Sequence, residues 1–239
     1  MVQKGQITFY SHPASVYSHR VEIALKEAKA DYTNYEVDLA NKPSWYAARV
    51  NPVGKLPAIT YGGPNTAPDD PSPEAAKINE SLIILEFLAD IFPEAHLLPS
   101  DPVLRAQARM FIVATDSLLY DVFWAFFFHY SPGADQTLLN LLESVQERLH
   151  PTGFAIGKWS NADIAVAPFL FRFRAMLRHD LGSFPVGEGT RVYEILQGPK
   201  FARLMKYIDD IEQWPSFKAT WDEAALVRML KNKYFPQRA

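Results

Sequence analysis

The chain has 239 residues, 48% hydrophobic and 21% charged, an ordinary globular composition long enough for one large domain or two small ones. Its formal net charge of −3 offers no strong field for nucleic acid or an anionic membrane. It contains no cysteine, which excludes disulfide scaffolds, thiolate metal sites and cysteine nucleophiles.

The segment Met1-Val2-Gln3-Lys4-Gly5-Gln6 has no apolar signal core, so secretion is not expected and the expected compartment is the cytosol. It leads into Ile7 to Tyr10, a β-branched and aromatic strand that Ser11-His12-Pro13-Ala14 breaks. From Ser15 the apolar positions Val16, Val21, Ala24, Leu25 and Ala28 recur at helical spacing. Tyr32 to Leu39 reads as a second strand. Ser44 is placed to cap a short helix over Trp45 to Arg49, and Leu56 to Tyr61 reads as a third strand. Gly62 to Glu74, rich in proline, glycine and aspartate, predicts a surface excursion without regular structure. Ala76 to Asn79 is a short fourth strand and Ser81 to Phe92 a strongly apolar helix. The strand-helix-strand start predicts a parallel pair with a right-handed crossover.

Pro93 to Pro102 reads as a linker, after which the strand signal almost vanishes. Helices are predicted over Val103 to His129, Gln136 to Leu149, Ile164 to Arg178 and Lys200 to Gln213, with shorter ones near Pro215 to Thr220 and Asp222 to Lys231. No apolar stretch is expected to cross a bilayer, the richest run being Val122 to Phe128. The expected division is an α/β domain over residues 1–95 and an all-helical domain over 103–239.

Three short stretches carry chemistry. Ser15 opens a helix whose N-terminal N–H groups and dipole favour an anion, and a thiolate is one candidate; an ordinary N-cap is the plainer alternative. In Lys55-Leu56-Pro57 a proline entering a strand sits at its first residue or a bend, and a cis bond would turn the backbone of Leu56 toward a bound peptide. In Asn79-Glu80-Ser81, Ser81 is placed to cap the next helix with Glu80 before it; a hydroxyl with helix N–H groups can hold a carboxylate and an acid can hold an ammonium, the two needs of a free α-amino-acid head group, and an ordinary cap is the plainer alternative. The same triplet matches an N-glycosylation pattern, which the absence of a secretion signal sets aside.

Taken together, Ser15-Val16-Tyr17-Ser18-His19-Arg20-Val21, Asn51-Pro52-Val53-Gly54-Lys55-Leu56-Pro57 and Glu80-Ser81-Leu82-Ile83-Ile84-Leu85 resemble the N-terminal domain of glutathione transferases. Ser160-Asn161-Ala162-Asp163-Ile164-Ala165 resembles that superfamily's helix-capping box, with Ser160 as cap and Asp163 returning a bond. The resemblance is greatest to the omega class, in particular fungal omega-like members. It implies a thioredoxin-like domain with a mixed four-stranded sheet, then the all-helical C-terminal domain.

Omega proteins carry Cys-Pro-Phe-Ala-x-Arg where this chain has Ser15 to Arg20. Serine there resembles the tau-type site and serine-bearing fungal omega-like proteins, which argues against the cysteine-type thiol-transfer and dehydroascorbate activities. The excursion of residues 62–74 is longer than the family's usual hairpin. By resemblance Ser15 contacts the thiol of glutathione, Lys42 reaches its glycine carboxylate, the backbone of Leu56 pairs with its cysteinyl unit, Pro57 holds the bend, and Glu80 and Ser81 bind the γ-glutamyl group.

A second, hydrophobic substrate is expected between the domains. The aromatic runs at residues 123–130 and 169–173 nominate Phe123, Trp124, Phe127 and Arg172, with Tyr17, although such runs are more often core. The six histidines lack ligand spacing, so no metal is implied. The leading expectation is a homodimeric enzyme that conjugates glutathione to electrophiles. A ligandin for aromatic compounds is the rival, and a non-catalytic scaffold, which need not keep Ser15, Lys42, Glu80 and Ser81, is the third.

Overall fold

The computed structural model describes residues 5–238, so Met1 to Lys4, part of the expected leader-free segment, lie outside the described residues. The chain divides into two units, one up to Leu98 and the other from Pro99.

The first unit runs β1 (Ile7–Ser11), α1 (Val16–Glu27), β2 (Thr33–Glu36), α2 (Ser44–Arg49), β3 (Ala58–Tyr61), β4 (Ala76–Asn79) and α3 (Ser81–Ile91). The sheet order is β2-β1-β3-β4. The pair β1/β2 is parallel and the pairs β1/β3 and β3/β4 are antiparallel, the mixed sheet that the resemblance implies. All five residues of β1 are buried, as its central place requires, while β2 is a largely exposed edge shorter than Tyr32 to Leu39. Val16, Arg20 and Ala24 recur every fourth residue on the buried stripe of α1, and Ser81, Ile84, Leu85 and Leu88 do so on α3, against which α1 packs.

Two caps differ from the sequence reading. Pro43 is the N-cap of α2 and Ser44 its first helical residue; Glu80 is the N-cap of α3 and Ser81 its first helical residue. The excursion of residues 62–74 lacks helix and strand yet is tied down. Gln6 exchanges two bonds with Thr66, Tyr10 Oη donates to the Pro68 carbonyl at 2.7 Å, and Arg49 pairs with Asp70.

The second unit comprises α4 (Pro102–Phe123), α5 (Ala134–Arg148), α6 (Asn161–Arg178), α7 (Glu188–Leu196), α8 (Ala202–Gln213), α9 (Pro215–Lys218) and α10 (Glu223–Lys233). Helix α6 is its axis: Asn161 through Leu177 are all buried, with α4, α7 and α8 packed around it. Its N-terminus carries the capping box. Ser160 Oγ accepts from the Ala162 N–H at 3.3 Å, and Asp163 Oδ2 accepts from the Ser160 N–H at 2.9 Å. Asp163 Oδ1 also accepts from the Ala155 N–H and the Tyr207 hydroxyl, each at 2.8 Å.

Helix α7 escaped the sequence reading. It follows Pro185 and contains Gly189, both loop signals, and the large apolar side chains it buries are Val192 and Leu196. At Gly189 a Cβ would lie 2.9 Å from Asp180 Oδ1 and from the Phe184 ring, so a larger residue there would have to displace one of those side chains.

Helix α4 continues through one wider π turn, Trp124–His129, closed by the Tyr130 N–H on the Ala125 carbonyl. The combined run Pro102–His129 is long and apolar enough, by length and composition, to cross a membrane. This corrects the expectation that no stretch is, which rested on unbroken apolar runs and overlooked a helix whose polar residues are spread out. One face of α4 packs on α5 and α6.

Candidate functional site

The sheet register brings the sequence-nominated stretches of the first unit to one end of the sheet. Tyr10 near the end of β1 pairs with Ala58 at the start of β3, and Ala58 pairs with Asn79 at the end of β4. The Ser11–Ser15 turn, Leu56-Pro57 and Glu80-Ser81 therefore leave the sheet at the same edge. The parallel partner β2 ends there too, its successor Val37 donating its N–H to the Ser11 carbonyl at 2.9 Å, and from it the chain runs on to Lys42.

At the first stretch Ser15 caps α1 and is half-buried. Its Oγ accepts from the Ser18 N–H at 3.1 Å. A hydroxyl so engaged keeps its own proton and a second lone pair, so Ser15 can cap and still donate to an anion. Tyr17, half-buried two residues on, lies beneath the Arg20 guanidinium, whose Cζ is 5.0 Å from its ring centroid.

At the second stretch the Leu56-Pro57 bond is cis. Pro57 is buried, and Leu56 packs against Tyr10, Val37, Tyr46, Val50 and Ala58. The β3–β4 ladder begins at Ala58, so the backbone of Leu56 stands beyond it. Tyr46 Oη and Asn51 Nδ2 both donate to the Lys55 carbonyl, at 2.8 and 2.9 Å, which fixes the approach. Lys42, just ahead of α2, is exposed. Helix α2 itself rests on an aromatic cluster of Tyr10, Tyr35, Trp45 and Tyr46, with ring centroids 5.4 to 6.3 Å apart. Burial pushes the Tyr10 hydroxyl up to about 12, so it stays protonated and donates to Pro68.

At the third stretch Glu80 is exposed and has φ 66° and ψ 112°. His96 and Tyr130 also have positive φ, but in left-handed geometry at helix C-caps, with ψ 32° and 59°. Glu80 stands instead at a helix N-terminus, where such a conformation costs a non-glycine residue about 1–3 kcal/mol. Its side chain makes no cap bond to α3, so that helix offers its first N–H groups without a side-chain acceptor from the N-cap. Ser81 is buried and its Oγ accepts from Arg20 Nη1 at 3.2 Å.

Arg20 is given no role by the sequence, where it stands only as part of the Ser15 to Val21 motif. It is 1% exposed. The signal was present: Arg20 lies four residues from both Val16 and Ala24 and so falls on the buried stripe.

In the second unit the nominated aromatics separate. Phe127 is 0% exposed and Phe123 nearly so; both stack on Phe173, with centroids 5.4 and 5.7 Å away. Trp124 is 36% exposed, with Phe128 against it at 4.5 Å. Arg172 is buried. Its Nη1 donates to the Pro168 carbonyl at 3.0 Å, and burial pulls its guanidinium down to about 10.

Residues 9–96 match the family model described as the glutathione S-transferase N-terminal domain. The chain is similar to glutathione transferase Omega 1C from Trametes versicolor, with 45% identity, a TM-score of 0.92 and coverage of 96% of this chain and 97% of that one. It is similar also to Omega 2S from the same organism, solved in complex with 2,4-dihydroxybenzophenone, with 45% identity, a TM-score of 0.89 and coverage of 95% and 99%. Among curated proteins it is 32% identical over 111 residues to glutathione S-transferase omega-2 of Rattus norvegicus. That alignment spans 46% of this chain and 40% of the rat protein. A thioredoxin-like unit carrying the site motifs, a helical unit built on a capping box, and full-length similarity to the fungal omega proteins make this chain a member of the glutathione transferase family.

Proposed function

We propose that the chain binds glutathione on its N-terminal unit and conjugates it to hydrophobic electrophiles in the cytosol, with Ser15 as the catalytic residue. The observation that carries this reading is Glu80, a non-glycine residue at φ 66°, beside an N-terminus of α3 that its side chain leaves uncapped and a Ser81 hydroxyl anchored by Arg20. Backbone strain at a helix start is a feature of ligand clamps rather than of plain caps.

The roles follow from the chemistry of each group. Glu80 takes the γ-glutamyl ammonium; Ser81 and the α3 N–H groups take its carboxylate. The Leu56 backbone pairs with the cysteinyl unit, Pro57 keeps the bend, and Lys42 reaches the glycine carboxylate. The Ser15 O–H, with the positive end of α1, favours the thiolate. A free thiol ionises near 8.5, and lowering this by ~2 units requires ~2.7 kcal/mol of preferential stabilisation. One charge-assisted hydrogen bond of about 1.5–3 kcal/mol is of that size. The thiolate sulfur then attacks the electrophilic carbon: the C–S bond of a thioether forms as the leaving group departs with the electrons of its bond to that carbon, or, at a conjugated double bond, as the π electrons move to a carbon that takes up a proton from water.

Tyr17, Phe123, Trp124, Phe127 and Arg172 are the proposed contacts of the hydrophobic partner; of these Trp124 is the most exposed, and Phe123 packs against it with ring centroids 6.1 Å apart. A ligandin role for aromatic compounds is the second reading, favoured by the benzophenone complex of a protein 45% identical. The functional division would be residues 1–95 for glutathione and 103–239 for the hydrophobic ligand. A homodimer is proposed through the exposed apolar stripe Val103, Met110, Val113 and Tyr120 of α4, spaced seven, three and seven residues apart.

Ser15→Ala tests the assignment. It should bind glutathione nearly as well as the wild type but lose conjugating activity, because only the thiolate depends on the hydroxyl. Full activity in Ser15→Ala would remove Ser15 from the reaction.

A further inference from the structure

The turn that joins β1 to α1 is organised by His12, a residue with no part in the roles proposed above. Pro13 has no N–H, so residues 12–15 carry three backbone N–H groups, and each is spent in a bond of His12. The His12 N–H donates to Ser18 Oγ at 3.3 Å. The Ala14 N–H donates to His12 Nδ1 at 3.1 Å. The Ser15 N–H donates to the His12 carbonyl at 2.9 Å. The half-buried ring thus closes the turn as an Asn or Asp side chain does, by accepting from the N–H two residues on.

These bonds reach the Ser15 side chain. Ser18 is buried; its Oγ receives the His12 N–H, and its own N–H donates to Ser15 Oγ at 3.1 Å. Ser15 is held from both sides, its N–H on the His12 carbonyl and its Oγ on Ser18, which His12 also holds. A ring nitrogen that accepts carries no hydrogen, so the imidazole is neutral with its hydrogen on Nε2.

We propose that His12 is a positioning residue for the thiolate chemistry: by accepting the Ala14 N–H it fixes the turn that aims the Ser15 hydroxyl. The inference rests on the reading of Ser15 as the residue that holds the thiolate. His12 need not touch the sulfur. Its contribution is the Nδ1 acceptor, without which the Ala14 peptide is free to rotate and the Ser15 hydroxyl loses its aim; a misplacement on the order of 1 Å is enough to cost much of a positioned group's effect.

Two variants separate the acceptor from the bulk of the ring. His12→Asn is smaller but offers Oδ1 to the N–H two residues on. His12→Phe keeps the size of the ring and has no acceptor. Full-chain wild type and both variants are saturated with glutathione at one neutral pH. Affinity is read by calorimetry, thiolate by its ultraviolet absorbance, and the Ala14 bond by amide exchange in NMR. Affinity should agree within about twofold in all three, because Lys42, Leu56, Glu80 and Ser81 hold the peptide frame. His12→Phe should lower the thiolate-to-thiol ratio of bound glutathione roughly tenfold and speed exchange at Ala14, and His12→Asn should restore both. If His12→Phe does not fold, His12→Ala, which also lacks the acceptor, is set against His12→Asn. An unchanged ratio in the variant without an acceptor, or a ratio in His12→Asn no better than in that variant, overturns the role of His12 and leaves glutathione binding intact. Absence of binding heat from wild type is the different failure: it overturns the glutathione reading and this role with it.

Discussion

Arg20 Nη1 donates to Ser81 Oγ across 3.2 Å, tying the middle of α1 to the first residue of α3 with both side chains buried. The bond orients a hydroxyl at the helix end proposed to receive the γ-glutamyl carboxylate. The Tyr17 ring covers the same guanidinium, so one buried cation organises two sides of the proposed site.

Arg20→Met keeps the length of the side chain and removes donor and charge. The protein should lose about 1–3 kcal/mol of stability in urea denaturation, because the Ser81 hydroxyl is left buried without this donor. Glutathione affinity should fall as well. Unchanged affinity would separate Arg20 from the site.

Asp163 supplies a pH-dependent stability. Burial pushes its carboxyl up to about 6, against bonds from Ala155, Tyr207 and Ser160 that pull it down. A folded-state value above the unfolded one means the native state holds the proton more tightly. This contribution is present in full below pH ~4 and is lost as pH rises through about 6. Asp163→Asn cannot titrate. It should be destabilised at every pH because it loses an acceptor, and the gap to wild type should narrow from pH 4 to pH 7 by on the order of 3 kcal/mol. Parallel stability curves would contradict the shift.

The α4 stripe predicts an assembly. Met110 is 70% and Val113 78% exposed, more than a single helix face of an isolated chain needs to show. Val113→Glu should shift sedimentation equilibrium from dimer to monomer and leave the helical content by circular dichroism unchanged. A wild-type chain that sediments as a monomer would remove the stripe's proposed partner.

The fold was legible where periodicity was clean. Short runs between turn or loop residues mark β1, β3 and β4, the first of them β-branched and aromatic, and the capping box of Ser160 and Asp163 is a local sequence signal that α6 reproduces. What the sequence hid depends on contacts distant in the chain. Helix α7 looks like loop because of Gly189, where a Cβ would crowd the Asp180 and Phe184 side chains. Trp124 and Phe127 are alike as aromatic letters, and only the packing of Phe173 separates the core ring from the exposed one. Arg20 sat on the apolar stripe, yet its partner Ser81 is 61 residues away. The positive φ of Glu80 has no letter to announce it, since a strained backbone is held by its surroundings.

That strain supplies the most direct measurement of the central claim. Calorimetric titration with glutathione should be run on wild type, Ser81→Ala and Glu80→Gly, alongside urea denaturation of each. Wild type should bind with one site per chain. Ser81→Ala should bind about 1–3 kcal/mol more weakly. Glu80→Gly should lose binding while folding at least as stably as wild type, because glycine adopts φ 66° without penalty. Absence of heat from wild type at millimolar glutathione, or unchanged affinity in Glu80→Gly, would contradict the placement of the γ-glutamyl group at the N-terminus of α3.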